Sequence, residues 1–151
     1  MSGSLFRRNW FRLGVLLALC LVGCFVYYHI SLEASRNNFV MQEKCAKAAK
    51  EFFREEGFGN KSLANYRSHY NKKLNRGFVV ISSMDHLGDG IFNVSEDLYD
   101  VFERKLYAEY AWQSQKDKKF WEVKPYLCRM LDESGETKED FDNFVKQYME
   151  D

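Results

Sequence analysis

A run of twenty residues without a formally charged side chain, Leu13–Leu32, constrains this chain more than any other part of its sequence. Twenty helical residues span about 30 Å, the thickness of the hydrocarbon core of a bilayer. Aromatic residues stand near both ends of the run, where interfacial aromatics are usual: Trp10, Phe11, Tyr27 and Tyr28. The run therefore predicts a transmembrane helix. A buried core helix is the weaker interpretation, because no polar face interrupts the run before His29.

The charges around this run predict its orientation. Three arginines precede it: Arg7, Arg8 and Arg12. The first acidic residue of the chain is Glu33. Because Lys and Arg accumulate on the cytoplasmic side of a membrane span, residues 1–12 are predicted to be cytoplasmic and residues 13–32 to be the anchor. Residues 33–151 then form an extracytoplasmic domain, periplasmic or at the cell surface, of a single-pass membrane protein.

Two processed forms of the same segment are alternatives to an uncleaved anchor. The tetrapeptide Leu21-Val22-Gly23-Cys24 resembles the lipobox of bacterial lipoproteins, in which the cysteine is lipidated and becomes the new N-terminus. The apolar residues that follow Cys24 argue against lipidation, because a lipidated cysteine is usually followed by a polar tether. A cleaved secretory signal is the second alternative. All three forms export the rest of the chain.

Residues 31–151 have the composition of one folded domain. The chain is 46% hydrophobic and 17% aromatic, which favours a packed core over disorder. Because three of the 22 basic residues precede the anchor, this part carries 22 acidic and 19 basic side chains. Nucleic acid is not an expected partner of such a mildly acidic domain, since binding to it depends on phosphate neutralisation by Lys and Arg.

The hydrophobic pattern of the domain predicts an α+β fold. Residues 33–56 read as a helix that ends at Gly57. The chain ends in a second, amphipathic helix, in which Thr137 and Asp140 resemble a capping box and one face is apolar: Phe141, Phe144, Val145, Tyr148 and Met149. Between them lie the predicted strands, over residues 64–71, 76–83, 98–102, 106–114 and 119–123, the last of which continues over residues 126–131 after a bend or an edge at Pro125. Residues 84–93 are interpreted as a loop. A helix, four or five antiparallel strands and a helix are typical of the α+β class.

No catalytic, cofactor or metal-binding motif occurs in the sequence. The richest segment for chemistry is Asp85-His86-Leu87-Gly88-Asp89-Gly90, which lacks the regular ligand spacing of a calcium loop. Asp and Gly there are better explained by turn geometry. Several strand aromatics could form a stacking platform for sugars or peptides, although core packing is the better interpretation: Tyr107, Tyr110, Trp112, Phe120, Trp121 and Tyr126.

Two of the four cysteines, Cys45 and Cys128, lie in the predicted exported domain. In an oxidising compartment we expect a disulfide between them, since Cys45 is on the apolar face of its helix and Cys128 is in a late strand. Two separate buried thiols are the alternative.

Three stretches resemble a set of uncharacterised bacterial exported or membrane-anchored small proteins: residues 45–53, 70–75 and 98–103. The resemblance covers roughly residues 41–149 and implies a bacterial envelope location without supplying an activity. Members of that set tend to have a cysteine where this chain has Gly77, and another near the final helix. This chain lacks both, so no cysteine pairing is carried over from them.

Two classes of function are compatible with this sequence. The first is a non-enzymatic module, tethered by residues 13–32, that binds another envelope protein or a peptide. The second is an anchored hydrolase that uses carboxylates or His86 in a cleft. Convergence of Asp85, His86 and Asp89 in a concave site would favour the hydrolase, and a flat solvated segment would favour the binding module.

Overall fold

The computed structural model describes residues 3–60 and 63–151, and the chain divides into two compact units, Met1–Phe39 and Val40–Asp151. Helix α1 spans Gly3–Glu55, so the described part of the first unit is helical and the last turns of α1 belong to the second unit. Near its N-terminus α1 contains a stretch long and apolar enough to cross a membrane, and none of that stretch is buried inside the protein. A membrane anchor and a signal sequence share this property.

The second unit contains one antiparallel sheet whose strands follow one another in chain order. In the described part of this unit, five strands have four residues or more, and the two-residue β6 pairs at the edge. The elements are β1 (Ala64–Asn71), β2 (Arg76–Gly88), β3 (Ile91–Asp100), β4 (Lys105–Gln113), β5 (Leu127–Met130), β6 (Glu133–Ser134) and helix α2 (Lys138–Met149). The α+β class is confirmed, with a helix before the sheet and a helix after it.

Two predictions of local structure are wrong. Residues 84–93 are not a loop, because β2 continues to Gly88 and β3 begins at Ile91. The turn between them has positive φ at Asp89 (49°) and Gly90 (74°), which is the backbone that Asp-Gly favours in tight hairpins. The predicted strand over residues 119–123 is a 3-10 turn at Phe120–Glu122.

The sheet carries one helix on each face, because alternate residues of a strand point to opposite sides. Along β2, Val79 and Ile81 pack against α1, while Phe78 and Val80 pack against α2. From α1 the buried residues are Cys45, Ala49 and Phe52, and from α2 they are Phe141, Phe144 and Val145. The domain therefore has two separate cores divided by the sheet.

A β-bulge in β4 enlarges the core under α2. Leu98 pairs with Ala108 and Tyr99 pairs with Leu106, so Tyr107 has no partner in the register. The extra residue breaks the alternation, and both Tyr107 and Ala108 face α2. The ring centroid of Tyr107 lies 5.2 Å from that of Tyr148, which joins the end of the helix to the sheet.

At both ends of α2, side chains form hydrogen bonds with backbone groups that have no partner within the helix. At the start, the backbone N–H of Asp140 donates to Oγ1 of Thr137 over 3.1 Å, and the N–H of Thr137 donates back to the Asp140 carboxylate. This confirms the predicted capping box. At the end, the buried Nδ2 of Asn71 approaches three backbone carbonyls within 3.3 Å, those of Gln147, Tyr148 and Glu150. The last turn of the helix is thereby tied to β1.

Candidate functional site

The residues that suggested a hydrolase do not converge. Asp85 and His86 are consecutive in β2, so their side chains leave opposite faces of the sheet, and Asp89 occupies the turn beyond them. The His86 ring packs against its cross-strand partner Phe92, with ring centroids 4.9 Å apart. Within residues 3–60 and 63–151 no three His, Cys, Asp or Glu side chains are grouped to hold a metal ion. This segment is therefore a solvated hairpin.

The same hairpin contributes to a strip of apolar side chains that α2 does not cover, which we call the apolar strip: Met84, Phe92, Val94, Trp112 and Phe120. Met84, Val94 and Trp112 lie side by side on β2, β3 and β4. Alternate residues of a strand share a face of the sheet, and Phe78 and Val80 of β2 face α2. Met84 and its cross-strand neighbours therefore lie on the face that carries α2. The apolar strip continues that core beyond the start of the helix.

Three members of the apolar strip are strongly exposed for large apolar side chains, at 40% for Met84, 37% for Phe92 and 41% for Phe120. The rings of Trp112 and Phe120 meet edge to face, with centroids 4.7 Å apart. Contiguous apolar side chains at the surface mark interaction sites, whereas single exposed apolar residues do not.

A cleft of about 500 Å³ adjoins the apolar strip at Phe120, between the 3-10 turn and the start of α2. Tyr110 and Lys138 line it, with the Lys138 Nζ 5.4 Å from the centre of the Tyr110 ring and 3.1 Å from Oε1 of Glu96. Burial raises the pKa of Tyr110 to about 12, so its phenol stays neutral. The cleft thus offers an aromatic wall beside paired charges.

The predicted aromatic set divides between core and surface. Tyr107 and Tyr110 are buried, Trp112 is half-buried, and Phe120 and Tyr126 are exposed. The side chain of Trp121 lies outside the described residues.

Sequence reasoning missed Met84 and Phe92 because their segment was interpreted as a loop. The dipeptide Asp89-Gly90 was the signal that could have placed them on paired strands.

The two domain cysteines are on opposite sides of the sheet, which corrects the expected disulfide. Cys45 is fully buried under α1, Cys128 packs at the core under α2, and neither is bonded. Burial raises the pKa of Cys45 to about 11. The structure thus has the alternative arrangement, two separate thiols. Cys24, the candidate for lipidation, lies within continuous α1, and its lipidation stays a prediction.

Each domain cysteine faces a glycine. A Cβ built on Gly77 would lie 2.9 Å from Sγ of Cys45, and one on Gly135 would lie 3.2 Å from Sγ of Cys128. In a disulfide, a Cβ is about 3 Å from the opposite sulfur. We therefore expect Gly77→Cys to form a disulfide with Cys45, once the exposed Phe102 ring, 2.8 Å from that Cβ, turns towards solvent.

Mass spectrometry after alkylation without reductant would measure this bond. In the Gly77→Cys variant, the introduced thiol and the thiol of Cys45 should resist alkylation and become alkylatable after reduction. The variant that combines Gly77→Cys with Cys45→Ala should stay fully alkylatable. Five free thiols in the oxidised single variant would show that the two positions do not meet.

Comparison with protein families, curated proteins and solved structures finds no match to this chain.

Proposed function

We propose that this protein is a membrane-anchored binding module whose extracytoplasmic domain holds a protein or peptide partner on the apolar strip, without catalysis. The observation that carries the proposal is the exposure of Met84 and Phe92 on a sheet face whose other half is covered by α2, together with the exposed Phe120, whose ring contacts that of Trp112 on the same face. A soluble domain gains by covering such a surface, and a partner segment with complementary apolar side chains does so.

The topology of the proposal rests on two features. The described residues contain one helix, near the N-terminus, that is long and apolar enough to span a membrane. Arginines precede the apolar segment, and the acidic residues begin after it. A bacterial envelope is the location implied by the resemblance of residues 41–149, and it belongs to the same proposal.

A reporter fused after Asp151 tests the topology. A reporter that is active only in the cytoplasm should be silent, and one that is active only outside it should give signal. Reversing the charges of Arg7, Arg8 and Arg12 should weaken this bias, because the positive-inside rule depends on them. Strong cytoplasmic activity of the unmodified fusion would overturn the assigned orientation.

Site-specific photo-crosslinking in intact cells tests the apolar strip. A photoreactive residue in place of Phe120 should give one defined adduct, and Met84→Asp in the same chain should abolish it. Leu74 is 45% exposed in the turn between β1 and β2, at the opposite end of the sheet, and serves as the matched control for both positions. Equal adducts from Phe120 and Leu74, or an adduct that survives Met84→Asp, would contradict the proposal.

A further inference from the structure

A second surface, independent of the apolar strip, lies where α1 meets the free edge of the sheet. Among the strands of the described residues, β1 has only β2 as a neighbour, so one side of β1 is an edge. Edges of this kind present unpaired backbone N–H and C=O groups to any strand that can align with them.

One hydrogen bond shows which residues of β1 face outward. The backbone N–H of Tyr70 donates to Oε1 of Gln42 on α1 over 3.0 Å, not to β2. Because N–H and C=O groups alternate in direction along an antiparallel strand, Ser68 and Tyr66 also turn theirs away from β2. The Gln42 side chain thus accepts a backbone hydrogen bond that a further strand beside β1 would accept. The corresponding backbone groups of Ser68 and Tyr66 are available to such a strand.

A groove of about 450 Å³ runs beside these positions, with six lining residues: Lys47, Lys50, Glu51, Phe53, Arg54 and Tyr66. Phe53 and Tyr66 form its aromatic floor, with ring centroids 4.8 Å apart. The exposed side chains of Lys47, Lys50 and Arg54 form the wall with a single carboxylate, Glu51, among them. This wall is basic on a domain that carries more acidic than basic side chains.

From this geometry we infer that the edge of β1 takes up an extended acidic peptide segment of another protein as an added strand. Backbone hydrogen bonds to Tyr66 and Ser68 hold the segment in register. Every second side chain of an added strand points to the face of α1. Carboxylates at these positions face Lys47, Lys50 and Arg54, with their methylene groups on Phe53 and Tyr66. A second copy of this chain fits less well, because β1 would bring its own Arg67 and the same basic wall to the edge.

Fluorescence anisotropy with the full chain in uncharged detergent micelles tests the inference. The probe is a labelled peptide of alternating valine and glutamate, and the control peptide alternates valine and lysine. The acidic peptide should bind, with an affinity that falls as salt is added, and the basic peptide should not. Lys50→Glu with Arg54→Glu should weaken binding by about tenfold or more.

Ser68→Pro tests the added strand separately from the charges. Proline is tolerated at an edge position whose N–H faces solvent, so the fold should persist, while the lost N–H and the ring should abolish peptide binding. Ser68→Ala is the matched control and should bind normally. If Ser68→Pro fails to fold, the charge-reversed variant decides by itself.

Three results would overturn the inference. The first is equal binding of the acidic and basic peptides, and the second is binding unchanged by Lys50→Glu with Arg54→Glu. The third is a dimer in sedimentation experiments that Ser68→Pro dissociates, which would assign the edge to a second copy. None of these outcomes bears on the apolar strip, whose crosslinks depend on Phe120 and Met84.

Discussion

Phe144→Ala should destabilise the domain by about 3–5 kcal/mol, the usual cost of removing a fully buried phenylalanine. Phe144 is 2% exposed in the middle of the face that α2 packs on the sheet, and its ring lies 5.1 Å from that of Tyr148. Truncation removes the buried ring and leaves a cavity that helix and sheet cannot close without moving together.

Denaturant unfolding of the full chain in detergent, followed by tryptophan fluorescence, would measure this loss. Asn143→Ala is the matched control, since Asn143 is exposed on the same helix and its loss should change stability by less than about 0.5 kcal/mol. Similar unfolding midpoints for the two variants would show that this face of α2 is not core.

Asp100→Ala should cost about 3 kcal/mol, because it removes a buried carboxylate with several partners. Asp100 is 0% exposed at the end of β3. Its Oδ2 accepts from Arg76 over 2.9 Å, and its Oδ1 accepts from the backbone N–H groups of Phe102 and Glu103. One side chain therefore joins β2 to the turn between β3 and β4. Hydrogen bonds to Glu103 and then Asp100 raise the pKa of Arg76.

Asp100→Asn distinguishes the ion pair with Arg76 from the hydrogen bonds to the turn. The amide oxygen can still accept from the turn, whereas the charge opposite Arg76 is gone, so this variant should lose about half as much stability as Asp100→Ala. Arg76→Met should then reduce the stability of the Asp100→Ala variant less than it reduces the stability of the unmodified protein, because Asp100→Ala has already removed the partner of Arg76. Additive losses would mean that the two side chains do not interact.

Hydropathy and helical periodicity are local signals in a sequence, so the apolar run and the helices that depend on them were predictable. The uncharged run Leu13–Leu32 lies inside α1, and the apolar face of residues 138–149 and the Thr137 capping box are as the sequence indicates. The hairpin at residues 84–93 was also within reach, because Asp89-Gly90 stands between segments that pair in register. Asp and Gly were taken as signs of a loop, when a two-residue hairpin turn needs the same residues.

The sequence by itself determined the membrane-type segment, the two helices, the sheet class and the lack of a catalytic motif, because each depends on residues close together in the chain. Only the tertiary structure decided which face of the sheet each helix covers. That choice separates Cys45 from Cys128, leaves the apolar strip exposed beyond α2 and sets the basic wall of α1 beside the edge of β1. Strand alternation offers two faces, and the packing of distant helices selects between them.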